Sequence, residues 1–114
     1  MAEQSRFYGV SNYAMDPKAY QHTTVEEMRD IAGGLIGIIR NSHILVSVDF
    51  KTGGPIKEAD IHVTFFSLEE NKNCEIAFYS YKTMEDNMSI FHKVTNLLIG
   101  KAEYARFKEL AVSL

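Results

Sequence analysis

From Thr24 onward the chain alternates between two hydrophobic periods. Val25, Met28, Ile31, Ala32, Leu35, Ile38 and Ile39 recur at helical spacing behind "TVEE", a capping box, which predicts a helix over 25–40. Gly33, Gly34 and Gly37 weigh against it. Each costs about 0.8–1.0 kcal/mol relative to Ala, so the three cost about 2–3. The alternative is a helix that stops at Gly33, with "LIGIIR" as a strand; the continuous helix is the favoured reading.

The period then changes to two. "HILVSVDF" (43–50) puts Ile44, Val46, Val48 and Phe50 on one face, and "TGGP" supplies turn residues. "ADIHVTFFS" (59–67) alternates Ile61, Val63 and Phe65, and "CEIAFYSYK" (74–82), beyond the polar "LEENKN", places Ile76 and Phe78 alike. Three antiparallel strands sharing one buried face follow. Thr83 opens a second helix with Asp86 in the capping position and Met84, Met88, Phe91, Val94 and Leu98 as its apolar stripe. Gly100 is its expected stop. "KAEYARFKEL" (101–110) predicts a further helix, separate or continuous. The fold expected is α+β: a helix, a three-stranded antiparallel meander, and one or two C-terminal helices packed on one sheet face.

If Ile61, Val63 and Phe65 face the core, then His62, Thr64 and Phe66 face away, as do Leu45, Ser47 and Asp49 on one side and Glu75, Ala77, Tyr79 and Tyr81 on the other. Aromatic residues with polar tips beside a histidine suit a face that is covered or that binds something. Three covers are open: the N-terminal arm, a second copy of the chain, or a flat-ringed ligand stacked on the aromatics.

Composition narrows the class. At 114 residues the length is that of one domain, and 46% hydrophobic content provides a core without disulfides or metals. Residues 1–22 form an aromatic-rich arm carrying Phe7, Tyr8, Tyr13 and Tyr20, with a short helical turn expected after Asp16-Pro17; residues 23–114 form the α+β domain. The net charge of −3 is spread along the chain, so no segment reads as a nucleic-acid tail. Cys74 alone permits no internal disulfide. No signal-peptide core is visible at the start, and "IAGGLIGII" (31–39) falls well short of the ~20 apolar residues of a membrane span, so a cytoplasmic protein is expected.

"HVT" at 62–64 resembles one copy of the paired His-x-Ser/Thr motif of the two-histidine phosphoesterase family, in which one unit serves as acid and the other as base. A second copy would have to be "HTT" at 22–24, where Thr24 is better accounted for as a helix cap. A phosphoesterase using His62 and Thr64 is therefore the least favoured reading. The helix–β–β–β–helix order is similar to that of double-stranded-RNA-binding domains. Where those carry basic residues, the second helix here begins with Glu85 and Asp86, which repel phosphate.

"GGLIG" (33–37) lacks the rest of a phosphate loop, and Gly33 and Gly37 read instead as a bare helix face for close packing. His22, His43, His62 and His92 have no metal-ligand spacing, so neither metal nor cofactor is expected.

The sequence thus leads to a non-catalytic binding protein. It sequesters a nucleotide-like small ligand at its sheet face or at a homo-oligomer interface; the alternative is a protein–protein inhibitor or adaptor module. The expected ligand-binding residues are His62, Thr64, Phe66, Tyr79 and Tyr81 on the sheet, Phe7 and Tyr8 in the arm, and Arg6, Lys18 and Arg106 as cations for phosphates. Neither duplex nucleic acid nor a membrane is an expected partner.

Overall fold

Thr24 opens the first helix, α1 (Val25–Ile39), through a complete capping box: its hydroxyl accepts from Glu27 N (3.0 Å) and the Glu27 carboxylate accepts from Thr24 N (2.9 Å). The computed structural model describes residues 23–53 and 58–114. The arm with Arg6, Phe7, Tyr8, Lys18 and His22, and residues 54–57 of the expected turn, lie outside the described residues.

α1 runs through all three glycines without a break and buries Met28, Ile31, Ala32 and Leu35. Close packing falls on Gly34 rather than on Gly33 and Gly37. A Cβ at Gly34 would meet the Phe91 ring at 3.2 Å, whereas nothing lies within 4 Å of one at Gly33 or Gly37. Gly37 therefore carries the entropic cost of glycine without a packing return. Gly37→Ala is expected to raise stability by about 0.5–1 kcal/mol in urea unfolding midpoints, and Gly34→Ala to gain less than Gly37→Ala, because the Phe91 ring must shift to admit the methyl group.

The sheet follows as β1 (Leu45–Gly53), β2 (Glu58–Ser67) and β3 (Lys72–Tyr79), antiparallel in the order β1-β2-β3. β1 starts at Leu45, where its pairing with Phe66 begins, and ends later than its apolar alternation predicts, because Thr52 and Gly53 still pair with Ala59 and Glu58. β3 begins earlier, at Lys72, and ends before "SYK". The β2–β3 connection turns at Asn71, whose φ of 55° lies in the left-handed region that Asn tolerates.

Ile61, Val63, Phe65, Ile76 and Phe78 fill the inner face, each at most 1% exposed. α1 lies over β1 and β2, while α2 (Met84–Ile99) and α3 (Tyr104–Ser113) reach β3, so all three helices share this face. The Thr83 hydroxyl caps α2 by accepting from Asp86 N (3.1 Å). α2 is rotated from its expected stripe. It buries Asn87, Ile90, Val94, Thr95 and Leu98, and leaves Met84, Met88 and Phe91 half-buried.

α2 and α3 are separate helices. Gly100 is the C-cap, and Lys101 takes the left-handed position (φ 54°). Its N–H bonds Leu98 O (3.1 Å) while Ala102 N–H bonds Leu97 O (2.9 Å), the paired closure of a Schellman turn. α3 is then held by Phe107, which stacks on Phe65 with ring centroids 4.5 Å apart. No helix among the described residues is long and apolar enough to cross a membrane.

Candidate functional site

No described element packs on the outer sheet face, and its side chains alternate with the buried ones along β2 and β3. Pairing sets what meets there. Asp60 lies opposite Tyr79, His62 opposite Ala77, Thr64 opposite Glu75 and Phe66 opposite Asn73.

The C-terminal end of β3 gathers the aromatic cluster. Tyr79 and Tyr81 stack at 5.0 Å with planes 19° apart, although Tyr81 lies in the turn just past the strand. His62 meets the Tyr79 ring edge-on at 6.0 Å, and Lys82 Nζ stands 5.9 Å from its centroid. His62 Nδ1 lies 3.0 Å from Glu75 Oε2, a bond that makes Nδ1 the donor and leaves Nε2 to the open face. Thr64 lies on the same face, beside Glu75.

The face is acidic. Among the described residues, Asp49, Glu58, Asp60 and Glu75 share its side of the strands, and Lys51 and Lys82 are the lysines there. Tyr79 registers this: burial raises its hydroxyl above the ordinary tyrosine range, and Tyr81, Asp60 and Glu75 add to the shift. The phenol is neutral at physiological pH and presents a donor O–H.

Two of the expected site residues lie elsewhere. Phe66 is six positions along β3 from Tyr79 in register, about 20 Å at strand spacing. It lines a separate groove of about 240 Å³ with Leu45, Leu68, His43, Ala102 and Tyr104. Arg106 is on α3, on the helical side of the sheet, 3.5 Å from Glu109. Glu75, Asp60 and Lys82 join the cluster although they were not among the expected ligand residues. The parity that places His62 outward also places Asp60 and Glu75, whereas Lys82 follows the strand and gave no periodic signal.

Of the phosphoesterase pair, His62 and Thr64 do share a face, but Thr24 is engaged in the α1 cap. Among the described residues no group of three or more His, Cys, Asp or Glu is placed to hold a metal ion. Cys74 is buried on the inner side, where burial raises its thiol pKa against the smaller opposing effects of the Tyr104 hydroxyl and Lys108. A neutral thiol in that place is a poor nucleophile. Compared with known protein families, characterised proteins and solved structures, the chain matches none.

Proposed function

We propose that this chain is a non-catalytic binding protein that holds a flat-ringed small ligand on its outer sheet face, at the Tyr79–Tyr81 end. The observation that carries this reading is the stacked tyrosine pair on a face no described element covers, with Tyr81 58% exposed. An aromatic plane held in place by a neighbour loses little entropy when a ring is laid on it.

Charge refines the ligand class. Nucleotide-like ligands fit through the base, whose amino groups suit Asp60 and Glu75, and a single phosphate would meet Lys82. Further phosphates would face the carboxylates around the cluster. Nucleosides, monophosphates and cationic rings are therefore favoured over polyphosphates. A second reading, an inhibitor or adaptor module docking on a protein, rests on Leu45 and Leu68, exposed by 54% and 81% at the Phe66 groove.

Thermal unfolding against a panel of nucleosides, mononucleotides, triphosphates and aromatic ammonium ions separates these. A ligand at about 100 times its Kd stabilises by about 2.7 kcal/mol, a shift of several degrees. That shift is expected for rings of low negative charge, and Tyr81→Ala is expected to remove it. No shift across the whole panel would sink the small-ligand reading and leave the protein-docking one.

A further inference from the structure

Among the described residues, the core is left unfinished along one side, from the sheet up to the helices. The inward residues of β2 and β3 are closed off from solvent, whereas Val46, Val48 and Phe50 on β1 alternate just as regularly and remain half-buried. Among the described residues β1 is the outer strand on that side and pairs with β2 alone, so alternate backbone N–H and C=O groups point away from the described sheet. Its register with β2 runs without a bulge from Leu45 to Gly53, and it contains no proline.

Above β1, the described residues flank α1 with α2 on one side, where Gly34 meets Phe91, and with no element on the other. Ile36 lies two residues on, about 200° round the helix, and is 48% exposed. The apolar surface therefore continues from strand to helix along this edge.

We propose that β1 is the seam of a homodimer, joined antiparallel to β1 of a second copy so that the two sheets become one of six strands. The occupant is a second copy because the seam is self-complementary in charge: of the registers that keep the two apolar faces together, the one centred on Phe50 is the one that sets opposite charges against each other. With Phe50 crossing the twofold axis against its counterpart, Asp49 stands opposite Lys51 of the partner subunit, and this pair occurs twice; Val48 stands opposite Thr52 of the partner subunit. A slide of one residue turns the apolar face outward. A slide of two places Asp49 opposite Asp49, or Lys51 opposite Lys51, and like charges directly opposite repel. The Lys51–Asp49 contact within each chain, 3.7 Å and exposed, exchanges for the cross-strand pair at little cost.

The extent fits a modest interface. Seven paired residues span about 24 Å, and a strand with a helix above it stands about 20 Å tall, so the two copies bury about 1,000 Å² together. That is the lower bound for a specific interface, the size class of weak and transient associations. The twofold axis runs through the sheet, so both outer faces lie on the same side of the dimer.

Sedimentation velocity tests this over a concentration series reaching about 500 μM, high enough to populate a weak dimer. The wild-type chain is expected to show a reversible monomer–dimer equilibrium. Lys51→Asp and Asp49→Lys are each expected to weaken it by about tenfold or more, since each creates two like-charge pairs. The Asp49→Lys/Lys51→Asp double variant is expected to recover dimerisation to within about threefold, the charges having merely changed sides. Both positions are exposed, but Lys51 stands opposite Asp60 on β2, so variants carrying Lys51→Asp are expected to melt slightly lower as monomers while Asp49→Lys stays with the wild type. A wild-type chain monomeric throughout the series overturns the proposal. So do single variants that dimerise like the wild type, which would place the contact on another surface such as the outer sheet face.

Discussion

Phe107→Ala is expected to cost about 3–5 kcal/mol, the range for truncating a fully buried phenylalanine. The ring is wholly buried and stacks on Phe65, itself wholly buried on β2, with planes 25° apart. Phe107 is also the fully buried anchor of α3, around which Tyr104, Leu110 and Ala111 are only half-buried. A ten-residue helix is too short to hold its shape in water by propensity alone. Removing the anchor should therefore loosen the helix as well as leave a cavity. Equilibrium urea unfolding measures the first effect, and far-ultraviolet circular dichroism in the absence of denaturant measures the second. Val112→Ala, at a side chain 73% exposed on the same helix, is the control and is expected to change stability by less than about 0.5 kcal/mol. A loss below about 1 kcal/mol for Phe107→Ala would mean that α3 is not held by this contact.

The same residues show which features of the fold were legible in the sequence. Alternation of Ile61, Val63 and Phe65, repeated by Ile76 and Phe78, identified the buried sheet face because a strand's period of two leaves no other choice. The capping box at Thr24 fixed the start of α1 through local hydrogen bonds that need no tertiary context. The face of α2 was not legible in this way. Met88 belonged to the expected apolar stripe and Asn87 did not, yet Asn87 is buried because backbone and hydroxyl acceptors from two other segments meet its amide. Those acceptors are 64 residues away at Thr23 and eight away at Tyr79, and no periodicity encodes them.

The site was half legible for a similar reason. Parity alone placed His62, Thr64 and Tyr79 on one face, but distances along that face depend on strand register. The left-handed turn at Asn71 sets Phe66 opposite Asn73, and this carries Phe66 away from the tyrosine pair and into the groove with Leu45 and Leu68. Arg106 was grouped with the site on charge alone, and charge says nothing about which side of the sheet a helix covers. The acidity of the outer face was present in the parity of Asp49, Glu58, Asp60 and Glu75, and it bears on the ligand more than any single basic residue does.

Asn87→Ala is expected to cost about 2–4 kcal/mol, from the lost bonds and the space left behind. The side chain is wholly buried, and its Nδ2 donates to Thr23 Oγ1 (2.8 Å) and to the Tyr79 carbonyl (3.0 Å). Thr23 in turn bonds Ser80 O and Lys82 O through its backbone N–H, and Lys82 O again through its hydroxyl (2.9 Å). One amide thus joins the segment entering α1 to the end of β3, beside the tyrosine cluster. Asn87→Asp separates shape from chemistry, because it keeps the volume and replaces both donors with acceptors. Near neutral pH it should be worse than alanine, since a buried carboxylate would face the Tyr79 carbonyl and a hydroxyl already donating to Lys82 O. Burial and those acceptors would raise the folded-state pKa of that carboxyl above its unfolded value. A raised pKa means that the folded state binds the proton more tightly, so the deficit should shrink as pH falls and widen as pH rises through the folded pKa. Urea midpoints of wild type and Asn87→Asp at pH 4.5 and pH 7.5 measure the change. A deficit equal at both values would show that the donors of Asn87 do not hold this junction, and that its volume alone accounts for its burial.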